Sequence, residues 1–141
     1  LDSVVRLLRP DAQIKNARIE AHFQKKLPML KIDVSQFNLA ISNLLVNSTQ
    51  AVSEKGEIHL FTRGSKKNVF IIIQDNGVGI SKEHLPKIFD FMFSTKPMGS
   101  GLGLSIAKKI ISDHHGEISV KSEVNKGSVF KIRIPLGQKM N

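Results

Sequence analysis

From residue 35 to residue 52 the chain reads SQFNLAISNLLVNSTQAV, with apolar or small side chains at Phe37, Ala40, Ile41, Leu44, Leu45, Ser48, Ala51 and Val52. Steps of three and four place these positions on one stripe of an α-helix, because a turn takes 3.6 residues. A helix with such a stripe must bury it against a second layer. The next segments supply that layer. GEIHLFTR and NVFIIIQD are short, rich in Ile, Val and Phe, and joined across GSKKN, which predicts two paired strands, the second ending in Asp75. Asp33 or Ser35 is the expected N-cap of the long helix.

ARIEAHF alternates Ile19, Ala21 and Phe23 with polar neighbours and reads as a half-buried strand. GLGLSIAKKIISDHHG places Leu104, Ala107, Ile111 and His114 on one helix face, with Gly116 set to end the helix. EISVKSE and SVFKIRIP form a closing hairpin that turns through Asn125, Lys126 and Gly127. Before residue 17, the apolar spacing around Pro10 reads as helix, with Pro10 opening a second helical segment. Together these elements predict an α+β two-layer sandwich in which helices cover a mostly antiparallel sheet.

A chain of 141 residues with 40% hydrophobic content is expected to form one domain over residues 1–141. Because it starts at Leu1 within an apolar-periodic stretch, it reads as a piece of a longer protein. The chain contains no cysteine, which excludes disulfides and thiolate metal sites and fits a cytoplasmic setting. The apolar run from Val69 to Ile73 is far shorter than the roughly 18 residues of a membrane span. The net charge of +9 is spread along the chain, and Trp and Tyr are absent, so nucleic-acid binding ranks last. A basic surface serves a nucleotide phosphate or an acidic partner equally well.

Three groups of residues carry chemistry. Asn43 and Asn47 are one turn apart on the long helix, with Gln50 on the same flank. Asn is a poor helix former, and either one alone reads as a solvated edge. As a pair, their carbonyl oxygens suit a Mg²⁺ ion that takes phosphate oxygens as its other ligands. Asp75 ends an apolar strand and is followed by Gly77 and Gly79, a pattern that fits a flat ligand lying on backbone while an amine donates to the carboxylate. A turn would explain one of these glycines. Gly99, Gly101 and Gly103 precede a helix whose N-terminal N–H groups can hold phosphate, and Lys96 is within reach as a point charge or is one more surface lysine.

In this order, the asparagine helix, Asp-x-Gly-x-Gly, phenylalanine cluster, Gly-x-Gly-Leu-Gly-Leu and closing hairpin resemble the catalytic ATP-binding domain of sensor histidine kinases in the GHKL superfamily, of the compact-lid nitrogen-regulation type. NLLVNSTQA is similar to the asparagine box, and this implies Asn47 as Mg²⁺ ligand with Asn43 and Gln50 beside the phosphates. DNGVGI is similar to the first glycine box, implying that Asp75 binds the adenine amine while Gly77, Gly79 and Ile80 line the base. IFDFMFSTK resembles the phenylalanine box, and GSGLGLS the second glycine box. From these the resemblance assigns Phe89, Lys96, Gly99, Ser100, Gly101, Leu102, Gly103 and Leu104 to the nucleotide, with Ser128 from the closing hairpin. The run Phe91, Met92, Phe93 departs from the usual proline and two phenylalanines.

GHKL ATP hydrolases and serine kinases place a glutamate base one turn before the metal-binding asparagine, because water or a hydroxyl must lose a proton as it attacks. Here that position is Asn43, which is no base. Neutral imidazole attacks through its own lone pair, so Asn43 fits transfer to histidine. The five histidines, His22, His59, His84, His114 and His115, lie outside any acceptor-like motif and read as structural or surface residues. The resemblance therefore implies an acceptor histidine on a separate dimerisation domain, a homodimeric parent protein and a response regulator as the next phosphate carrier. Residues 82–100 are expected to form a mobile lid that contributes little to the core.

Overall fold

The computed structural model describes residue 6 and residues 17–95 and 101–137. The expected helical segments around Pro10 and the stretch from Lys96 to Ser100 lie outside the described residues. The element order is β1 (Arg18–Phe23), α1 (Val34–Ala51), β2 (Glu57–Gly64), β3 (Asn68–Asp75), a single 3₁₀ turn (Leu85–Lys87), α2 (Gly103–Asp113), β4 (Glu117–Glu123) and β5 (Gly127–Pro135).

The five strands form one sheet in the order β1-β2-β3-β5-β4. β1 and β2 run parallel because the chain crosses between them through α1, as a parallel pair requires. The other neighbours are antiparallel. Ile58, Leu60, Ile71, Ile73, Phe130, Ile132 and Ile134 alternate along the central strands and point to one face. There they pack with Phe37, Ala40, Ile41, Leu44 and Leu45 of α1 and Ala107, Ile110 and Ile111 of α2. The result is the expected two-layer sandwich.

Local chemistry sets the ends of the elements. Asp33 caps α1, its Oδ1 accepting from the Gln36 N–H at 3.0 Å. The C-terminus of α2 differs from expectation. The helix stops at Asp113, and His115, not Gly116, takes the left-handed position with φ 59°. Gly116 meets a different demand, since a Cβ there would lie 2.7 Å from the Arg133 carbonyl oxygen of β5.

Candidate functional site

At the end of β3, Asp75 is only 4% exposed, and its Oδ1 accepts from the Gly77 N–H at 2.9 Å. Antiparallel register sets Ser128 of β5 opposite Asp75, also buried. The Ser122 hydroxyl donates to the Gly127 carbonyl at 2.9 Å and accepts from the Ile80 N–H at 2.7 Å. Having spent its one proton, Ser122 receives the Ser128 hydroxyl proton across their 2.7 Å contact. Asp75, Gly77, Ile80 and Ser128 are thus brought into one neighbourhood. Ser122 was not singled out from the sequence. Its only signal there is its placement opposite Ser128 across the hairpin.

The loop after Asp75 is tied on both sides. The Val78 N–H donates to the Ala51 carbonyl at 3.0 Å, the last residue of α1, and the Asn125 N–H of the β4–β5 turn donates to the Val78 carbonyl at 2.8 Å. Asn76 Oδ1 accepts from the Glu57 N–H at 2.7 Å, another contact that composition and spacing do not signal. These anchors explain the two alternate glycines. A Cβ on Gly77 would lie 2.6 Å from the Ala51 carbonyl oxygen, and one on Gly79, at φ +73°, would run into the Glu123 carbonyl. Protein backbone on either side makes both demands.

Asn43 and Asn47 are half-buried on α1, and Gln50 is exposed one turn past Asn47, toward the helix end. Asn43 Nδ2 donates to the Gly103 carbonyl at 3.2 Å, joining the asparagine helix to the first residue of α2. Among the described residues no side chain caps α2, whose first intrahelical bond runs from the Ile106 N–H to the Leu102 carbonyl at 2.9 Å. The N–H groups ahead of Ile106 in that turn have no acceptor within the helix, which is the usual anion-binding end. At Gly103 a Cβ would come into ordinary contact with Asn43 at 3.8 Å, with no closer atom among the described residues. Gly101 differs, with φ +73° and the Met92 backbone directly against it. Leu102 and Leu104, flanking Gly103, are half-buried.

The segment expected to be a poorly packed lid is anchored at its base. Ile88 is 6% exposed and belongs to the core, and Phe89 and Phe93 pack against that core. Phe89 meets Phe130 edge-on at 6.3 Å, with Lys108 Nζ 5.3 Å from its ring centre. Among the described large apolar side chains of this segment, Phe91 and Met92 are the exposed ones, 75% and 65%. The expectation of little core contribution is corrected: the phenylalanine cluster buries one face because aromatic area is costly to leave in water. Lys96, Gly99 and Ser100 lie outside the described residues.

His114 is fully engaged in the core, beyond a helix-end dipole role. Its Nε2 accepts from the Asp33 N–H at 3.0 Å, so its proton sits on Nδ1, which donates to the Ile110 carbonyl at 2.8 Å.

Residues 32–138 match the family described as histidine kinase-, DNA gyrase B-, and HSP90-like ATPase. Sporulation kinase C of Bacillus subtilis (strain 168) is 34% identical over 137 residues, covering 96% of this chain and 32% of that protein. Sensor histidine kinase ZraS of Escherichia coli (strain K12) is 32% identical over 132 residues, covering 94% of this chain and 28% of its own length. The catalytic domain of histidine kinase ThkA superposes with a TM-score of 0.85 at 30% identity, covering 95% of this chain and 90% of that domain. The chain therefore belongs to the histidine kinase-, DNA gyrase B- and HSP90-like ATPase family, as an ATP-binding catalytic domain of the sensor histidine kinase kind. It spans about a third or less of the curated relatives it matches, 32% and 28% of the two named. No helix among the described residues is long and apolar enough to cross a membrane.

Proposed function

We propose that this domain holds Mg·ATP between α1, the loop after Asp75 and the start of α2, and presents the γ-phosphate to a histidine on a separate dimerisation domain. The observation that carries this reading is the joint between Asn43 and Gly103, where the N-terminus of α2, with no side-chain cap among the described residues, meets the asparagine helix. Asp75 accepts the adenine amine, held in place by the Gly77 N–H and backed by Ser128. Asn47 provides the neutral oxygen for the metal, Gln50 lies beside the phosphates, and Lys96 adds a cation. Gly77, Gly79, Ile80 and Phe89 line the base, while residues 99–104 wrap the phosphate chain.

ATP supplies the transferable phosphoryl group when bound. The acceptor imidazole attacks with its own lone pair, so Asn43 positions and does not take a proton. The parent protein is read as a cytoplasmic homodimer in its kinase portion, passing the phosphoryl group to a response regulator receiver domain.

The test is the thermal midpoint of the chain with ATP, ADP or GTP, each with and without Mg²⁺. A ligand of the folded state raises stability by about RT ln(1 + [L]/Kd). Stabilisation that prefers adenine and grows with Mg²⁺ is the expected result. No shift at millimolar nucleotide would sink the catalytic reading and leave a docking module.

A further inference from the structure

The face of the sheet turned away from the helices brings three ligand-bearing side chains together. Parallel register sets Glu20 of β1 opposite His59 of β2, and His22 opposite Phe61. Strand alternation puts all four on the side opposite the buried Ile19, Ile58 and Leu60. His22 Nε2 and His59 Nδ1 are 3.0 Å apart, and Glu20 Oε2 is 3.8 Å from each of them. A triangle with those sides has a centre about 2.1 Å from all three atoms, equal to the bond lengths of Zn²⁺ to imidazole nitrogen and carboxylate oxygen.

The surroundings favour that use. Arg18 Nη1 donates to Glu20 Oε1 at 3.2 Å, which leaves Oε2 turned to the two rings. Glu57 Oε2 lies 3.5 Å from the far nitrogen of His59, the place from which an outer carboxylate orients a ligating ring. Phe61 stacks on His22 with ring centres 4.8 Å apart and limits how that ring can tilt. Two imidazoles and one carboxylate select Zn²⁺, Cu²⁺ or Ni²⁺ over Mg²⁺, which prefers oxygen ligands and keeps its waters.

We infer that Glu20, His22 and His59 form a binding site for a first-row transition-metal dication, Zn²⁺ above all, separate from the nucleotide site and with a fourth position open to water. The rings now share one N–H···N hydrogen bond, so coordination requires the donor ring to shift that proton to its other nitrogen, after which both contacting nitrogens offer lone pairs and both rings stay neutral. Because β1 is the outer strand of the described sheet, beside β2, the ion would staple it to the sheet.

The experiment titrates Zn²⁺ into the chain by calorimetry and Co²⁺ by visible absorption. One ion per chain is expected, with the intense Co²⁺ bands of a four-coordinate site. His22→Gln and His59→Gln should each abolish those bands while leaving the thermal midpoint of the metal-free protein unchanged, since both side chains are partly exposed. Glu57→Gln should weaken binding about tenfold, the size of an outer-shell effect. The inference is overturned if no saturable binding occurs at submillimolar Zn²⁺. It is equally overturned if binding survives both histidine replacements, which would place the ion elsewhere. Neither outcome depends on nucleotide binding.

Discussion

Gly77, Gly101 and Gly103 look alike in the sequence and differ in what surrounds them. A Cβ at Gly77 would meet the Ala51 carbonyl, one at Gly101 would meet the Met92 backbone, and one at Gly103 would meet no atom closer than 3.8 Å. Gly77→Ala should therefore lower stability by about 1–3 kcal/mol in a urea melt, as overpacking against backbone does. Gly103→Ala should leave stability unchanged or raise it by up to about 1 kcal/mol, because Ala is the better helix former. Under the proposed function the same change should weaken ATP binding by about tenfold or more, read by titration calorimetry, since it adds a methyl group at the helix end proposed to hold phosphate. Equal ATP affinity in Gly103→Ala would remove the α2 N-terminus from the site. Asp75→Asn should reduce the preference for adenine over guanine by about 1–3 kcal/mol, the range for a hydrogen bond to a buried charge. Asn47→Ala should remove the Mg²⁺ dependence of nucleotide stabilisation in the thermal assay.

Single polar contacts fix the joints between elements that the shared core packs together. His114 at the end of α2 links the Asp33 N–H at the start of α1 to its own helix through the Ile110 carbonyl, and meets Phe37 at 6.0 Å. His114→Ala leaves the part-buried Asp33 N–H without its acceptor and opens a void where the buried ring was, so a loss of about 2–4 kcal/mol is expected. At this chain length that lowers the midpoint by about 6 °C or more. His115→Ala, on an exposed side chain, provides the comparison. Asn43 makes the second joint, and Asn43→Ala should cost about 1 kcal/mol in stability while lowering nucleotide affinity, as α2 loses its tether to α1. If Asn43→Ala alters phosphotransfer but neither stability nor affinity, the tether is not its role. Both helices were readable from apolar periodicity, and Asp33 from its place ahead of the stripe. The same periodicity set His114 on the apolar face, but not its partner, because Asp33 lies far away in the chain.

At the scale of the whole molecule, the sandwich gathers the end of α1, the end of β3, the β4–β5 turn and the start of α2 into one neighbourhood, through the Val78, Asn125, Ile80 and Asn43 hydrogen bonds. With a helical domain that carries an acceptor histidine supplied in trans, the chain should transfer ³²P from labelled ATP to that domain and not to itself. Labelling of the chain's own histidines would overturn the absence of an acceptor motif. Periodicity of 3.6 and 2 is a local property, so the amino-acid sequence alone dictated the helices, strands and two-layer class. The spaced asparagines, aspartate and glycines marked a candidate nucleotide site, because their order along the chain carries the pattern. Only the tertiary structure decided what each glycine touches, that Ile88 and Phe89 anchor the lid, that His114 is a core joint, and that His22 and His59 meet. Those facts arise from strand register and from backbone packing between residues far apart in the chain. Such distances enter the free energy only once the chain has folded.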